Sequence, residues 1–267
     1  MIRVANAPVS YGAFELTVGV LPNVPGPDVV LDAIAAAGYE GTELGPIGYL
    51  GRGNELRSRL RSRGLTLAGA FVELRFGDGD FSELEATLDL IDGFDAKPVL
   101  CDKGPRDGDV DLAGVEHAVE LARSRGFEPT FHHHMGTRVQ SPAEIERLLD
   151  GTSVGLLLDT GHLTAGGGDP VRALRDWRDR IDHLHVKDVR LDVIRDAASW
   201  DEAWRAGAFC ELGTGDVDLE AFFAERDGYS GWLVVEQDWV PGPEDLFAEQ
   251  AEAQARNRRW LTAHAGL

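Results

Sequence analysis

Short apolar runs alternate along this chain with longer stretches in which apolar side chains return every third or fourth position. The first pattern is that of buried strands, the second that of helices burying one face. The spacing predicts strands over 2–7, 39–44, 65–74, 98–101, 127–134, 154–159, 181–187 and 232–236. Between them it predicts helices over 28–37, 55–63, 81–91, 112–125, 142–150, 170–180 and 219–226, and a long final helix over 243–263. The punctuation agrees, since Gly38, Gly64 and Gly126 stand where helices stop. Ser141-Pro142-Ala143-Glu144 carries a capping box with Pro at the first helical position, and Ser82 is a candidate cap. The stretch 207–215 reads as a loop.

Eight strand–helix units in 267 residues without a compositional break predict an α/β protein, a single (β/α)8 barrel over residues 1–267. A doubly wound sheet competes, but it would carry a phosphate-binding glycine loop after its first strand. Gly166-Gly167-Gly168 and Gly213-Thr214-Gly215 stand elsewhere without that spacing and read as turns.

A barrel places its chemistry at the C-terminal ends of its strands. The polar residues there are Glu43, Glu73, Asp102 with Lys103, His132 with His134, Asp159 with His162, His185 with Lys187, and Glu236 with Asp238. In the run His132-His133-His134, strand alternation puts the first and third imidazoles on one face and turns His133 away. His, Asp, His and Glu from strands five to eight suit Mn2+, Co2+, Zn2+ or Fe2+ better than Mg2+, which prefers oxygen ligands and water.

Charge narrows the partners. With 46 acidic against 26 basic side chains the formal net charge is −20, which repels phosphate backbones and argues against nucleic acid. Cys101 and Cys210 form no disulfide framework, which points to a reducing compartment, and both read as apolar fillers. There is no basic segment followed by an apolar one at the start, and no apolar run near the roughly 20 residues of a membrane span. A cytoplasmic protein with no membrane partner is expected.

Leu158-Asp159-Thr160-Gly161-His162, Ile181-Asp182-His183-Leu184-His185-Val186-Lys187-Asp188 and Val235-Glu236 resemble the xylose-isomerase-like TIM barrels of sugar isomerases, epimerases and dehydratases. Gly41-Thr42-Glu43-Leu44-Gly45-Pro46, His132-His133-His134-Met135-Gly136-Thr137, His185-Val186-Lys187-Asp188-Val189-Arg190 and Val235-Glu236-Gln237-Asp238 look, within that superfamily, like the inosose dehydratase family. The resemblance implies Asp159, His185 and Glu236 as metal ligands, with His162 contacting substrate. Where the epimerases carry a Glu at the end of strand five, this chain has His132, favoured over His134 as fourth ligand. His183 shares the face of His185 and is expected behind it.

That departure shapes the expected reaction. The related epimerases use two metal-bound Glu residues as bases, and here Glu236 is the one carboxylate left for that work. The resemblance therefore implies a divalent-metal-dependent dehydratase of inosose or a related keto-sugar, with Mn2+ or Co2+ ahead of Zn2+ or Fe2+. Glu236 takes the α-proton, with Glu43 as alternative, and His162, Lys187 or Lys103 assists the departing β-hydroxyl. Lys187 is equally a structural partner for Asp188 or Glu236. His134, Lys103, Glu73 and Arg190 are the candidate substrate contacts.

Tyr11 and Phe14 are expected to close the pocket, and Trp239 is a further candidate for lining it. Trp177, Trp200, Trp204 and Trp260 are expected in packing or subunit contact. The competing readings are an isomerase or epimerase on the same metal site, a three-zinc DNA-repair endonuclease, which the charge opposes, and a non-catalytic sugar-binding partner. Residues 249–259 form a solvated face or the contact of a homo-oligomer.

Overall fold

The computed structural model describes every residue except Pro105, Pro243 and Asp245. Among the described residues ten strands form, in chain order: β1 (Ile2–Asn6), β2 (Gly41–Glu43), β3 (Thr66–Leu74), β4 (Lys97–Asp102), β5 (Thr130–His132), β6 (Gly155–Asp159), β7 (Ile181–Val186), β8 (Asp188–Val189), β9 (Phe209–Cys210) and β10 (Gly231–Val235). Eight of them close a parallel barrel in the order β1-β10-β7-β6-β5-β4-β3-β2, while β8 and β9 make a separate antiparallel pair. The expected single barrel is what forms.

Around it run α1 (Pro27–Ala36), α2 (Gly53–Ser62), α3 (Ser82–Ile91), α4 (Leu112–Ser124), α5 (Pro142–Gly151), α6 (Thr160–Ala165), α7 (Pro170–Asp176), α8 (Leu191–Asp196), α9 (Trp200–Arg205), α10 (Leu219–Ala224) and α11 (Phe247–Ala265). Pro27, Pro142 and Pro170 each open a helix, where a missing N–H costs nothing. The capping box of Ser141 and Glu144 is formed on both sides. Helix stripes such as Leu31 with Ile34 and Leu56 with Leu60 pack the outer faces of the strands. Inside the barrel, Ala5, Ala7 and Ala68 leave room for Trp232 and Val234. The Arg3 guanidinium stacks on Trp232, 3.9 Å from its ring centre, at the N-terminal end. The polar residues therefore collect at the other end.

The barrel closes between β1 and β10, with Ile2 opposite Gly231 and Asn6 opposite Val235. The Asn6 amide donates to Val235 O at 2.8 Å and to Gln254 Oε1 on α11 at 3.1 Å, fastening the long helix across the seam.

Several expectations are corrected. Strand pairing in β5 covers 130–132 only, because the chain turns after His132 and His134 N–H bonds to Val139 O at 3.0 Å. The expected loop over 207–215 contains β9, whose two residues are too few for a period-two signal. Helices α6, α8 and α9 are six residues each, too short for the helical period to show. Phe81, rather than Ser82, stands at the cap of α3. The expected start of the last helix at Pro243 lies outside the described residues, and α11 begins at Phe247.

Candidate active site

The register of the parallel ladder sets the site. β6 and β7 pair Leu157 with His183 and Asp159 with His185, so these side chains point inward together. Asp159 ends β6 and caps α6, its Oδ1 accepting the His162 N–H at 2.8 Å. The cap leaves Oδ2 facing the cavity. Thr160 Oγ1 donates to Lys187 O at 2.6 Å and accepts from Lys187 N at 2.9 Å, which holds the Lys187 backbone beside it.

Around Asp159 Oδ2 lie His132 Nε2 at 3.3 Å, Lys187 Nζ at 3.2 Å and His185 Nδ1 at 3.7 Å. Glu236 Oε2 is 2.9 Å from His185 Nδ1. That nitrogen is nevertheless without an aligned hydrogen-bond partner, whereas His132 Nε2 is within hydrogen-bond reach of Asp159 Oδ2. Close approach without hydrogen-bond alignment is what two ligands of one ion show, at about 3.0–3.4 Å apart for bonds near 2.1 Å. His132, Asp159 and His185 each offer a ligand atom within 4.8 Å of the others, and Glu236 joins them through His185. Two imidazoles and two carboxylates on strand ends fit a divalent ion.

Behind this group, Glu43 Oε1 lies 3.0 Å from His185 Nε2 and 3.1 Å from His183 Nε2. Gly69 makes room for it, since a Cβ there would stand 2.8 Å from Glu43 Oε1. His183 thus lies behind His185, as expected, and Glu43, which also lines the cavity, contacts both imidazoles. Burial opposes its charge, but His185 and His183 outweigh it and hold the Glu43 carboxyl well below its usual range.

The histidine triplet divides three ways. His132 joins Asp159 and His185, whereas His134 joins His162 and Asp238, its ring centre 3.8 Å from that of His162. His134 reaches the cavity through the turn rather than along the strand. His133 turns away, as expected, and its Nε2 accepts the Asp159 N–H at 3.1 Å.

Electrostatics sort the proton carriers. Burial and then the neighbouring His134 and Lys187 press His162 well below its usual value, leaving it neutral. Burial opposes charge on Lys187, but Asp159, Asp238 and Glu236 outweigh it and raise the ammonium well above its usual value. Burial likewise opposes charge on Glu236, and His185 and Lys187 outweigh it, lowering that carboxyl. Glu236 is an anion touching a cation, with Lys187 Nζ 2.9 Å from its Oε2. Lys187 pairs with Glu236 and not with Asp188. The Asp188 oxygens instead accept the backbone N–H groups of Val189, Gly213, Gly215 and Val217.

These groups open into a cavity of about 250 Å³ whose mouth is framed by Phe14, Leu16 and Trp204. Phe14 and Trp204 approach at 5.2 Å between ring centres. The loop carrying Phe14 turns at Gly12, whose φ of 78° and contact with Trp239 and Pro241 leave no space for a side chain. Trp239 therefore packs on that loop and does not line the cavity. Tyr11 is buried against Phe247 instead. Trp204 was expected in packing, yet it lines the pocket. Glu73 and Lys103 stand at the rim, 3.8 Å apart, while Asp102 is taken by Arg138 through contacts of 2.6 and 2.9 Å. Arg190 is exposed at the start of α8 and is not among the lining residues, so its expected substrate contact is corrected. Sequence reasoning missed Glu15, which lines the mouth, and the tie of Asp238 Oδ2 to Lys187 Nζ at 2.9 Å.

No helix among the described residues is long and apolar enough to cross a membrane. Cys101 and Cys210 are free and buried, consistent with their expected place as fillers.

Comparison with known proteins follows the same line. Residues 110–264 match a family model described as a xylose isomerase-like TIM barrel. An inosose dehydratase of Geobacillus thermodenitrificans is 31% identical over 89% of this chain and 89% of its own. One of Bacillus velezensis is 32% identical over 79% of this chain and 81% of its own. Among solved structures, the IolI protein with a binding zinc atom superposes with a TM-score of 0.73 at 13% identity, covering 99% of this chain and 98% of its own. The probable 3-DHS dehydratase AsbF from Bacillus anthracis gives 0.72 at 15%, covering 97% and 98%. At such identities the superpositions speak for the fold alone.

Proposed function

The chain belongs to the xylose isomerase-like TIM barrel family, with inosose dehydratases among its relatives, and on that premise we propose a divalent-metal-dependent dehydratase of inosose or a related keto-sugar. His132, Asp159, His185 and Glu236 hold the ion. Their mixed nitrogen and oxygen donors favour Mn2+ or Co2+, with Zn2+ or Fe2+ next. When bound, the ion supplies Lewis acidity at the ketone carbonyl and an adjacent hydroxyl.

The observation that carries the reading is the contact of Glu236 with Lys187, an ionised carboxylate and a charged ammonium 2.9 Å apart on the wall of one cavity. Glu236 accepts the α-proton, and Lys187 donates one to the departing β-hydroxyl. Lys187 is preferred as donor to His162, which is held neutral, and to Lys103, which stands on the rim. His134 and Glu73 meet the substrate hydroxyls, with Lys103 beside Glu73 in the adjoining pocket, and Phe14 with Trp204 covers an apolar face of the ring. With His132 at the end of β5, the opposite wall offers no second carboxylate ligand of the kind an epimerase uses. We place the enzyme in the cytoplasm, acting on a small molecule and not on nucleic acid.

Incubation with inosose and Mn2+ in D2O, followed by NMR, tests this. Loss of water with formation of the unsaturated or diketo product is expected. Deuterium at carbon without loss of water would replace the lyase by an isomerase or epimerase. Metal analysis with no ion taken up and no turnover after adding Mn2+ or Co2+ would leave a sugar-binding protein.

A further inference from the structure

Lys187 is almost completely buried, and its ammonium touches four groups at once. Two are Asp159 Oδ2 at 3.2 Å and Glu236 Oε2 at 2.9 Å, the same oxygens that face His132 and His185. The other two are Asp238 Oδ2 at 2.9 Å and His162 Nε2 at 3.2 Å, which stand outside the His132–Asp159–His185 group. An ammonium and a divalent ion drawn to one pair of carboxylate oxygens repel each other, so both cannot hold that pair at full strength. A second set of partners is ready for one of them. Asp238 is fixed from behind, its backbone carbonyl accepting the Trp204 Nε1–H at 3.1 Å, and its Oδ1 is buried without any partner. A buried carboxylate oxygen left unpaired is costly unless a cation or donor reaches it at some stage.

We propose that Lys187 is an internal cation which competes with the metal ion for Asp159 and Glu236, and that Asp238 is the positioning residue which seats its ammonium beside the bound ion. The inference rests on the metal site proposed above and adds a linkage. Charge on Lys187 opposes metal binding, and Asp238 relieves that opposition by accepting the ammonium on Oδ1 as well as Oδ2. His162 completes the second seat.

The test is a double-mutant cycle read as metal affinity, measured calorimetrically with Mn2+ and Co2+ on the chelator-stripped full chain, with the visible spectrum of bound Co2+ as second readout. Lys187→Met is expected to tighten binding about tenfold or more, because the competing cation is gone. Asp238→Asn in the otherwise intact chain is expected to weaken it about tenfold. In the Lys187→Met background the same Asp238 change is expected to cost little, because no ammonium remains to be seated. Lys187→Gln, similar in volume and able to hydrogen-bond, serves where the Met variant folds poorly, and circular dichroism reports folding.

Weaker or unchanged affinity in both Lys187 variants overturns the proposal. So does an Asp238 effect of equal size in both backgrounds, which would mean that Asp238 acts on the ion directly. Failure of the wild type and of every variant to take up an ion overturns the metal reading with it. Failure of dehydration alone, with the affinity signs as stated, leaves the linkage standing.

Discussion

Glu43 Oε1 stands 3.0 Å from His185 Nε2, so the imidazole turns its other nitrogen toward Asp159 and Glu236. The contact assigns the ring nitrogens: Nε2 carries the hydrogen and Nδ1 faces the cavity. Glu43→Gln removes the charge and offers either an acceptor or a donor to that hydrogen. Metal affinity should fall about 10–100-fold, with kcat falling alongside it. Calorimetry on the stripped protein measures the first, and full metal affinity with turnover gone would return Glu43 to the role of base.

Glu236→Gln keeps the shape of the side chain and removes its basicity. Turnover should drop by about 10²–10⁴-fold, with weaker metal retention. Steady-state kinetics beside metal analysis decides, and near wild-type activity at full metal content would end the assignment of Glu236.

Glu15 on the pocket rim gives a pH signature. Burial of its carboxyl, opposed by its own backbone N–H and reinforced by the charges of Glu73 and Glu236, pushes its pKa from 4.5 up to about 7. As a residue it is exposed, so solvent screens much of the effect on stability. Between pH 4.5 and 7 the folded chain holds this proton more tightly than the unfolded one. The group's contribution to stability is therefore full below the unfolded pKa and declines as pH rises to the folded one. Glu15→Gln cannot ionise, so its melting temperature relative to wild type should climb through that window, by something on the order of 1–2 °C, and level off above it. A difference independent of pH would contradict the shift.

Asp188 is fully buried and accepts four backbone N–H groups, three of them from residues 213–217. Asp188→Ala leaves those donors without acceptors and should cost about 3–5 kcal/mol. Denaturant unfolding measures it, and proteolysis should then cut near residues 211–217 first. A loss under about 1 kcal/mol would show that water replaces the carboxylate.

Much of this was visible along the chain, and the limits have a common cause. Alternation along β7 places His183 and His185 on the inward face, and the end of β6 places Asp159 beside them, because a strand holds direction as long as its ladder lasts. At β5 the ladder ends with His132, so the expected common strand face for His134 does not hold, although the turn brings it to the same cavity. Asp238 lies beyond β10 and Trp204 on the short helix α9, where no period assigns a direction. Their meeting with Lys187 and Phe14 is a long-range packing event. Arg190 shows the converse, since adjacency to a site motif does not bring a side chain into the site.

The seam between β1 and β10 bears on how the chain reaches this state. Its hydrogen bond from Asn6 to Val235 joins residues 229 positions apart, and that of Asn6 to Gln254 spans 248. Contacts of such separation form late, after the loop-closure entropy of nearly the whole chain has been overcome. Until they form, the curved sheet has two open edges able to pair with another copy, so aggregation during refolding should compete through β1 and β10.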